Sequence, residues 1–270
     1  FSIVTNKVVS KSDFGRIQKR ISWSLGNRSF ILKNDMMILD LLTNNNWERP
    51  IYFTSASEEA CVGLKDYLQS EGIAFRLVPI KQTEEEMMQG GRVNTDAMYD
   101  NIMHKFEWGG MNKPGVNLDE NCLRMPANLR MQMGILANAL INEGKKEKAN
   151  TILNKCLYEM PDETVPFDAT MYGICSSYYL LGDMERANEL AKKLFTIFEG
   201  DLRVYNSQKP KRKTAYKQEI TQAKNILRSL TALAQHHKQE SLTNDFISKL
   251  SQLIPAEELN PQTENLPIIP

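Results

Sequence analysis

Two stretches of this chain are copies of one another, and that constrains the fold more than any other feature. In LANALINEGKKEKANTILNKCLYEMP (136–161), Gly144 is followed by Ala149, Leu153, Cys156 and Pro161. In ICSSYYLLGDMERANELAKKLFTIFE (174–199), Tyr178 and Gly182 are followed by Ala187, Ala191 and Leu194. Ala149 and Ala187 lie 38 residues apart. Each copy reads as two helices around a glycine. A glycine takes the left-handed conformation that closes a helix, and a small residue five positions on lets the second helix return close against the first.

These offsets resemble the tetratricopeptide repeat, whose usual period is about 34 residues. The longer period predicts a short insertion, placed around ETVP (163–166). Two such hairpins cannot bury their own flanks; about three are needed. The missing surface is expected from a helix over 94–107 on one side and from helices near 214–237 and 241–253 on the other. In the latter, Ile226, Leu227, Leu230 and Leu233 form an apolar stripe suited to a degenerate third repeat.

The N-terminal part has a different rhythm. NDMMILDLLT (34–43) has helical spacing, with Asn34 or Asp35 as cap and Met36, Met37, Leu39, Leu41 and Leu42 as a wide apolar face. Asn44, Asn45 and Asn46 end it. Pro50 then forces Arg49 toward extended geometry, and IYFTSA (51–56) reads as a strand buried on both faces, as in a parallel sheet. A helix over 57–72 and a strand over 73–80 complete a predicted βαβ unit. Trp47 is expected to pack over the sheet edge. Residues 81–93 read as an exposed loop in which Glu84, Glu85 and Glu86 are solvated rather than metal-binding. The fold class is therefore α+β and mostly α: a small βαβ-containing α/β domain over 31–92, then a tetratricopeptide-like helical domain over 93–254. A lead-in (1–30) and a proline-containing tail (255–270), expected to be flexible, flank them.

Charge and reactive groups narrow the function. Thirty-three basic residues balance 33 acidic ones among 270, so no global pull toward nucleic acid is expected. The basic lead-in is read as a solvated segment, with a stretch beside an anionic membrane surface as the alternative. The basic run SQKPKRKTAYK (207–217) is read as a solvated linker, with nucleic-acid binding as the alternative; that would call for aromatics interleaved with the charges, and only Tyr205 and Tyr216 are near. Apolar runs are shorter than the roughly 20 residues a membrane span needs. Phe1 opens the chain without a start methionine, so a longer parent is expected. The four cysteines show no CxxC spacing and are read as small core residues rather than disulfides or a zinc site. No GxGxxG, Walker-type or GxSxG motif is present, so no catalytic residue, cofactor or metal is assigned. The strand–helix joint near Thr54 and Ser57 is the one candidate anion site, since such junctions point backbone donors outward. The joint lacks the glycine a phosphate site would favour, so an absent site is the main reading. Asn46, Trp47, Arg49 and Trp108 are the candidate interaction residues.

The segments LKNDMMILDLLTNNNWERPIYF, GLKDYLQSEGIAFRLVPIK, NTDAMYDNIMHKFEWGG, LDENCLRM and ALINEGKKEKA together resemble the soluble C-terminal region of a bacterial family of polytopic membrane proteins. That family, of unknown function, is similar to the ER protein O-mannosyltransferases of the GT-C glycosyltransferase class. The resemblance spans about residues 20–200. It implies a parent whose catalytic acid lies in the membrane portion, outside this chain. It also implies a periplasmic, tetratricopeptide-like domain that positions an acceptor polypeptide or supports its own membrane domain. Membrane attachment would come through transmembrane segments preceding Phe1. The Lys/Arg excess of residues 1–33 would suit a cytoplasmic juxtamembrane segment instead, but that rule weakens for long translocated domains, so the extracytoplasmic side is kept. The fragment is thus read as a non-catalytic protein-binding module. The alternatives are a ligand-binding α/β domain for a sugar nucleotide or lipid-linked sugar phosphate, and a purely structural brace.

Overall fold

A computed structural model describes residues 8–22, 24, 30–57 and 60–254. The expected flexible tail and the first residues of the lead-in lie outside them. The chain is mostly helical with one small sheet, and divides into a unit up to Glu107 and a unit from Trp108 on.

In the first unit, helix α1 (Lys33–Asn45) forms as its spacing predicts. Asp35 caps it from inside: its carboxylate accepts the Leu32 N–H at 2.9 Å and is itself buried. The helix stops where Asn46 and Trp47 both turn left-handed, at φ 46° and 61°. Four short strands follow: β1 (Tyr52–Phe53), β2 (Leu68–Ser70), β3 (Phe75–Leu77) and, after helix α2 (Glu84–Met88), β4 (Arg92–Val93). Their order is β1-β3-β2-β4. β1 and β2 both pair antiparallel with β3, while β2 and β4 run parallel. Helix α3 (Thr95–Asp100), capped by the Asn94 side chain, continues as a wider turn to Lys105.

The predicted βαβ unit does not form. Residues 60–67 are turns ending in one short 3₁₀ turn, Lys65–Tyr67. Val62 and Gly63 adopt φ of 54° and 73°, which no right-handed helix accommodates. Cys61, Val62, Leu64, Tyr67 and Leu68 are all buried, so the segment works mainly as core filling, with Lys65 and Asp66 left toward solvent. β1 is likewise an edge strand with Phe53 buried and Tyr52 exposed, not a strand covered on both faces. Its apolar residues alternate after all, over a span too short to show it.

The lead-in is better anchored than its composition suggests. Val8 is buried, and the Gln18 N–H donates to the Pro79 carbonyl at 2.8 Å. Arg16 grips Glu86 with two hydrogen bonds of 2.9 and 2.7 Å. Glu86 also receives Arg92, which reaches Asp13 and Gln69 as well. The acidic triplet therefore lies on a helix rather than in a loop; Glu84 and Glu85 are exposed as expected, but the third member sits between two arginines. Burial pushes the Glu86 carboxyl up, but the hydrogen bonds from Arg16 and Thr83 and the charges of both arginines outweigh it and hold it down to about 2.

The second unit is built from helical hairpins. α4 (Glu120–Asn142) folds back on α5 (Lys146–Glu159), α6 (Met171–Leu181) on α7 (Met184–Ser207), and, after a short α8 (Pro210–Ala215), α9 (Lys217–His236) on α10 (Glu240–Leu253). The three turns share one geometry. Gly144, Gly182 and Lys238 take φ of 76°, 87° and 57°. The next N–H of each donates back to a carbonyl: Lys145 to Leu140, Asp183 to Tyr178 and Gln239 to Ala234, at 2.8, 3.0 and 2.9 Å. Ala149, Ala187 and Thr243 follow at equal distance and are buried against the partner helix. The basic run expected as a solvated linker is helical, comprising the end of α7, α8 and the start of α9. The helix over 94–107, expected to flank the hairpins, belongs to the first unit.

The inserted residues lie between α5 and α6, where the long period put them. Arg130, fully buried on α4, holds that loop. Its guanidinium donates to the carbonyls of Met160, Val165 and Pro166 at 3.2, 2.9 and 3.2 Å and lies over the Phe167 ring. Loop carbonyls buried without such donors would be costly. Cys156 and Cys175 are free and buried in the hairpin cores, and burial pushes both thiols up to about 12, so neither is a thiolate at neutral pH.

Candidate interaction surface

The first unit presents an apolar groove of about 300 Å³ between α1 and β1, lined by Ile38 and Leu41 on one side and by Ile51 to Ser55 on the other. Helix periodicity explains it. Ile38 and Leu42 turn inward onto the cluster of Phe53, Cys61, Leu64, Tyr67, Leu68 and Leu77. Leu41, 59 % exposed, is left at the rim. Further round the helix, Met36 and Met37 are 64 % and 60 % exposed, and Phe30, Ile31 and Leu32 extend the same apolar character to its N-terminal end. A contiguous apolar surface of this kind marks a contact more often than isolated exposed leucines do.

The other wall of the groove is backbone. β1 has β3 on its inner side, where the Leu77 N–H donates to the Ile51 carbonyl at 2.9 Å. In an antiparallel ladder, alternate residues direct their N–H and C=O to opposite sides. Tyr52 and Thr54 therefore turn theirs toward the outer edge, where no described strand pairs. The Tyr52 ring is anchored by its hydroxyl, which donates to Glu71 Oε2 at 2.7 Å. Burial and this hydrogen bond push that hydroxyl up to about 12. Glu71 also receives Gln69 and Asn94 and lies 3.7 Å from Arg76. One polar network thus runs behind the sheet from Tyr52 to Arg16, with its arginines and carboxylates facing one another.

The structure distributes the sequence-predicted residues unevenly. Thr54 lines the groove. Ser57 does not form an anion site with it, because the helix whose N-terminus was to donate is absent. Instead its carbonyl accepts from Ala60, Cys61 and the Cys61 thiol, and its hydroxyl accepts the Ala60 N–H. Trp47 is half-buried and joins the cluster under α1 to a second one formed by Val8, Val78 and Ile80, so it holds the unit together rather than covering a sheet edge. Asn46 is the exposed left-handed residue that lets Trp47 turn inward. Arg49 is exposed, with its backbone fixed by two hydrogen bonds to the Asn45 side chain. Trp108 belongs to the second unit, under the Lys155 ammonium at 5.1 Å. Sequence reasoning missed Leu41 and Tyr52; the signal available was an apolar helix face wider than a small domain can cover.

Among the described residues, no group of His, Cys, Asp and Glu is arranged to hold a metal ion, and no helix is long and apolar enough to cross a membrane. Residues 2–97 are similar to the family described as TMEM260-associated domain 2. That stretch includes α1, the whole sheet and the groove. No curated protein and no solved structure matches the chain.

Proposed function

We propose that this chain is a non-catalytic, polypeptide-binding scaffold on the extracytoplasmic side of a membrane-embedded, glycosyltransferase-like parent. The observation that carries the reading is the apolar groove beside the outward backbone edge of Tyr52 and Thr54. An extended acceptor segment adds there as a further strand, its backbone pairing with β1 and alternate side chains entering between Ile38 and Leu41. Backbone pairing is sequence-tolerant, which suits a module that presents many polypeptides to one enzyme. The proposal takes the second unit as a tetratricopeptide-like array. Met133, Leu136, Ala137 and Leu140 of α4 and Met171, Ile174, Cys175 and Tyr178 of α6, equivalent at the 38-residue spacing, are each fully buried, as such an array requires.

The test uses the whole chain and a reduced, carboxymethylated protein as a model unfolded polypeptide. Amide exchange at Tyr52 to Ser55 should slow on binding. Thr54→Pro, which removes an outward N–H while keeping extended geometry, should weaken binding about tenfold or more with the melting temperature nearly unchanged. Unaltered exchange at these amides, or turnover of a sugar donor by the isolated chain, would refute the reading.

Met36 and Met37, exposed outside the groove, favour a second reading, in which α1 docks on the parent's own membrane portion. A photo-crosslinker at Met37 in the full-length parent separates the two. Adducts within the parent chain support the brace, and adducts with other polypeptides support the scaffold.

A further inference from the structure

The third hairpin is displaced. Thr243 follows Ala187 by 56 residues, whereas Ala187 follows Ala149 by 38. The additional chain lengthens α7 to 24 residues and supplies α8. It is not neutral filler. Lys209, Lys211, Arg212, Lys213 and Lys217 fall within nine residues that contain no acid, in a chain whose charges balance overall. None of the five makes an ion pair among the described residues, and four of them are exposed with Lys213 half-buried. Beside them Val204 is 58 % and Tyr216 40 % exposed.

We propose that this helical extension is a docking surface for an anionic phospholipid bilayer. Charge complementarity is the argument, and the kind of charge decides the partner. Four of the five cations are lysines, which are flexible, strongly hydrated point charges. Bidentate recognition of a single phosphate or carboxylate favours arginine instead. A smeared negative surface asks only for several mobile cations close together, each contributing near the headgroups. Val204 and the Tyr216 ring supply the apolar and amphipathic contacts that sit at headgroup depth. Single-stranded nucleic acid fits less well, because it needs free aromatic faces. Here the Tyr205 and Tyr216 rings stack on each other, with centroids 5.1 Å apart.

The experiment is co-sedimentation of the whole chain with vesicles at low salt. Vesicles of phosphatidylcholine and phosphatidylglycerol in equal parts should bind it, neutral phosphatidylcholine vesicles should not, and added salt should release it. The triple variant Lys211→Glu, Arg212→Glu, Lys213→Glu should lose affinity at least about 100-fold. The neutralising glutamine set should lose an intermediate amount, and both should keep the parent's melting curve. Binding to neutral vesicles, undiminished binding by the triple variant, or an equal loss in Lys19→Glu/Arg20→Glu would overturn the proposal. Capture by polyglutamate or oligothymidylate without vesicle binding would also overturn it, in favour of an acidic peptide or a nucleic acid.

Discussion

Arg130 shows how much one buried residue can decide. Its position on α4 reads as another polar residue in a helix, and nothing local says that it will be swallowed. Only the loop after α5, folding over it, supplies the three carbonyls that make a buried guanidinium tolerable. Arg130→Met keeps the stem but leaves those carbonyls without donors. It should cost about 2–4 kcal/mol in urea unfolding, with thiol labelling of Cys156 rising in parallel. Lys238 is the converse case: it holds a left-handed φ that its counterparts fill with glycine. Lys238→Gly should stabilise by about 0.5–1 kcal/mol, and Gly182→Ala should destabilise by about 1 kcal/mol. Glu86 carries a pH dependence. Its carboxyl is held below the ordinary value of 4.5, at about 2, so the folded state binds the proton less readily than the unfolded state does. Its stabilisation is complete above the unfolded value and is lost as pH falls from about 4.5 toward 2. Because the group is partly exposed, about 1–2 kcal/mol is at stake after screening. Glu86→Gln should lower stability at neutral pH and flatten the acid limb of the pH–stability curve.

At the scale of elements, the hairpins were legible and the sheet only in part. A glycine turn and a small residue at fixed offset encode a local contact, so α4 to α7 follow from short-range sequence. The crossing of α4 and α6 adds a feature that the offsets do not mention: Gly134 lies against Gly173 and Ile174. A Cβ there would sit 3.6 Å from the Gly173 carbonyl carbon and 3.5 Å from Ile174 Cδ1. Gly134→Ala should therefore be neutral or slightly stabilising, because helix propensity gains while contact stays ordinary. Gly134→Leu should cost about 1–3 kcal/mol by overpacking. The strands expected over 51–56 and 73–80 contain β1 and β3. But β2 and β4, of three and two residues, are too short for periodicity to announce, and the antiparallel pairing of β1 with β3 was not foreseen. Residues 57–72 carry a helix-like composition, but the backbone breaks at Val62 and Gly63, and Cys61, Val62, Leu64 and Tyr67 all end up buried.

At the scale of the whole molecule, each unit has its own buried core, and the chain divides at Glu107. Residues 108–254 expressed alone should give a helical circular dichroism spectrum and a cooperative melt; a non-cooperative melt would mean that the hairpins depend on the first unit. The groove's location was half legible. Thr54 was singled out, but as part of an anion site rather than of the wall of an apolar cleft, and the seam at Asn46 to Arg49 does not line the groove. What the amino-acid order determined on its own was whatever neighbours within a few turns can decide: the helices, their caps, the glycine turns and the place of the insertion. Tertiary structure alone decided which apolar faces are covered, which arginines are buried and where a strand edge is left open. Those outcomes depend on surfaces brought together from distant parts of the chain, and no local period records them.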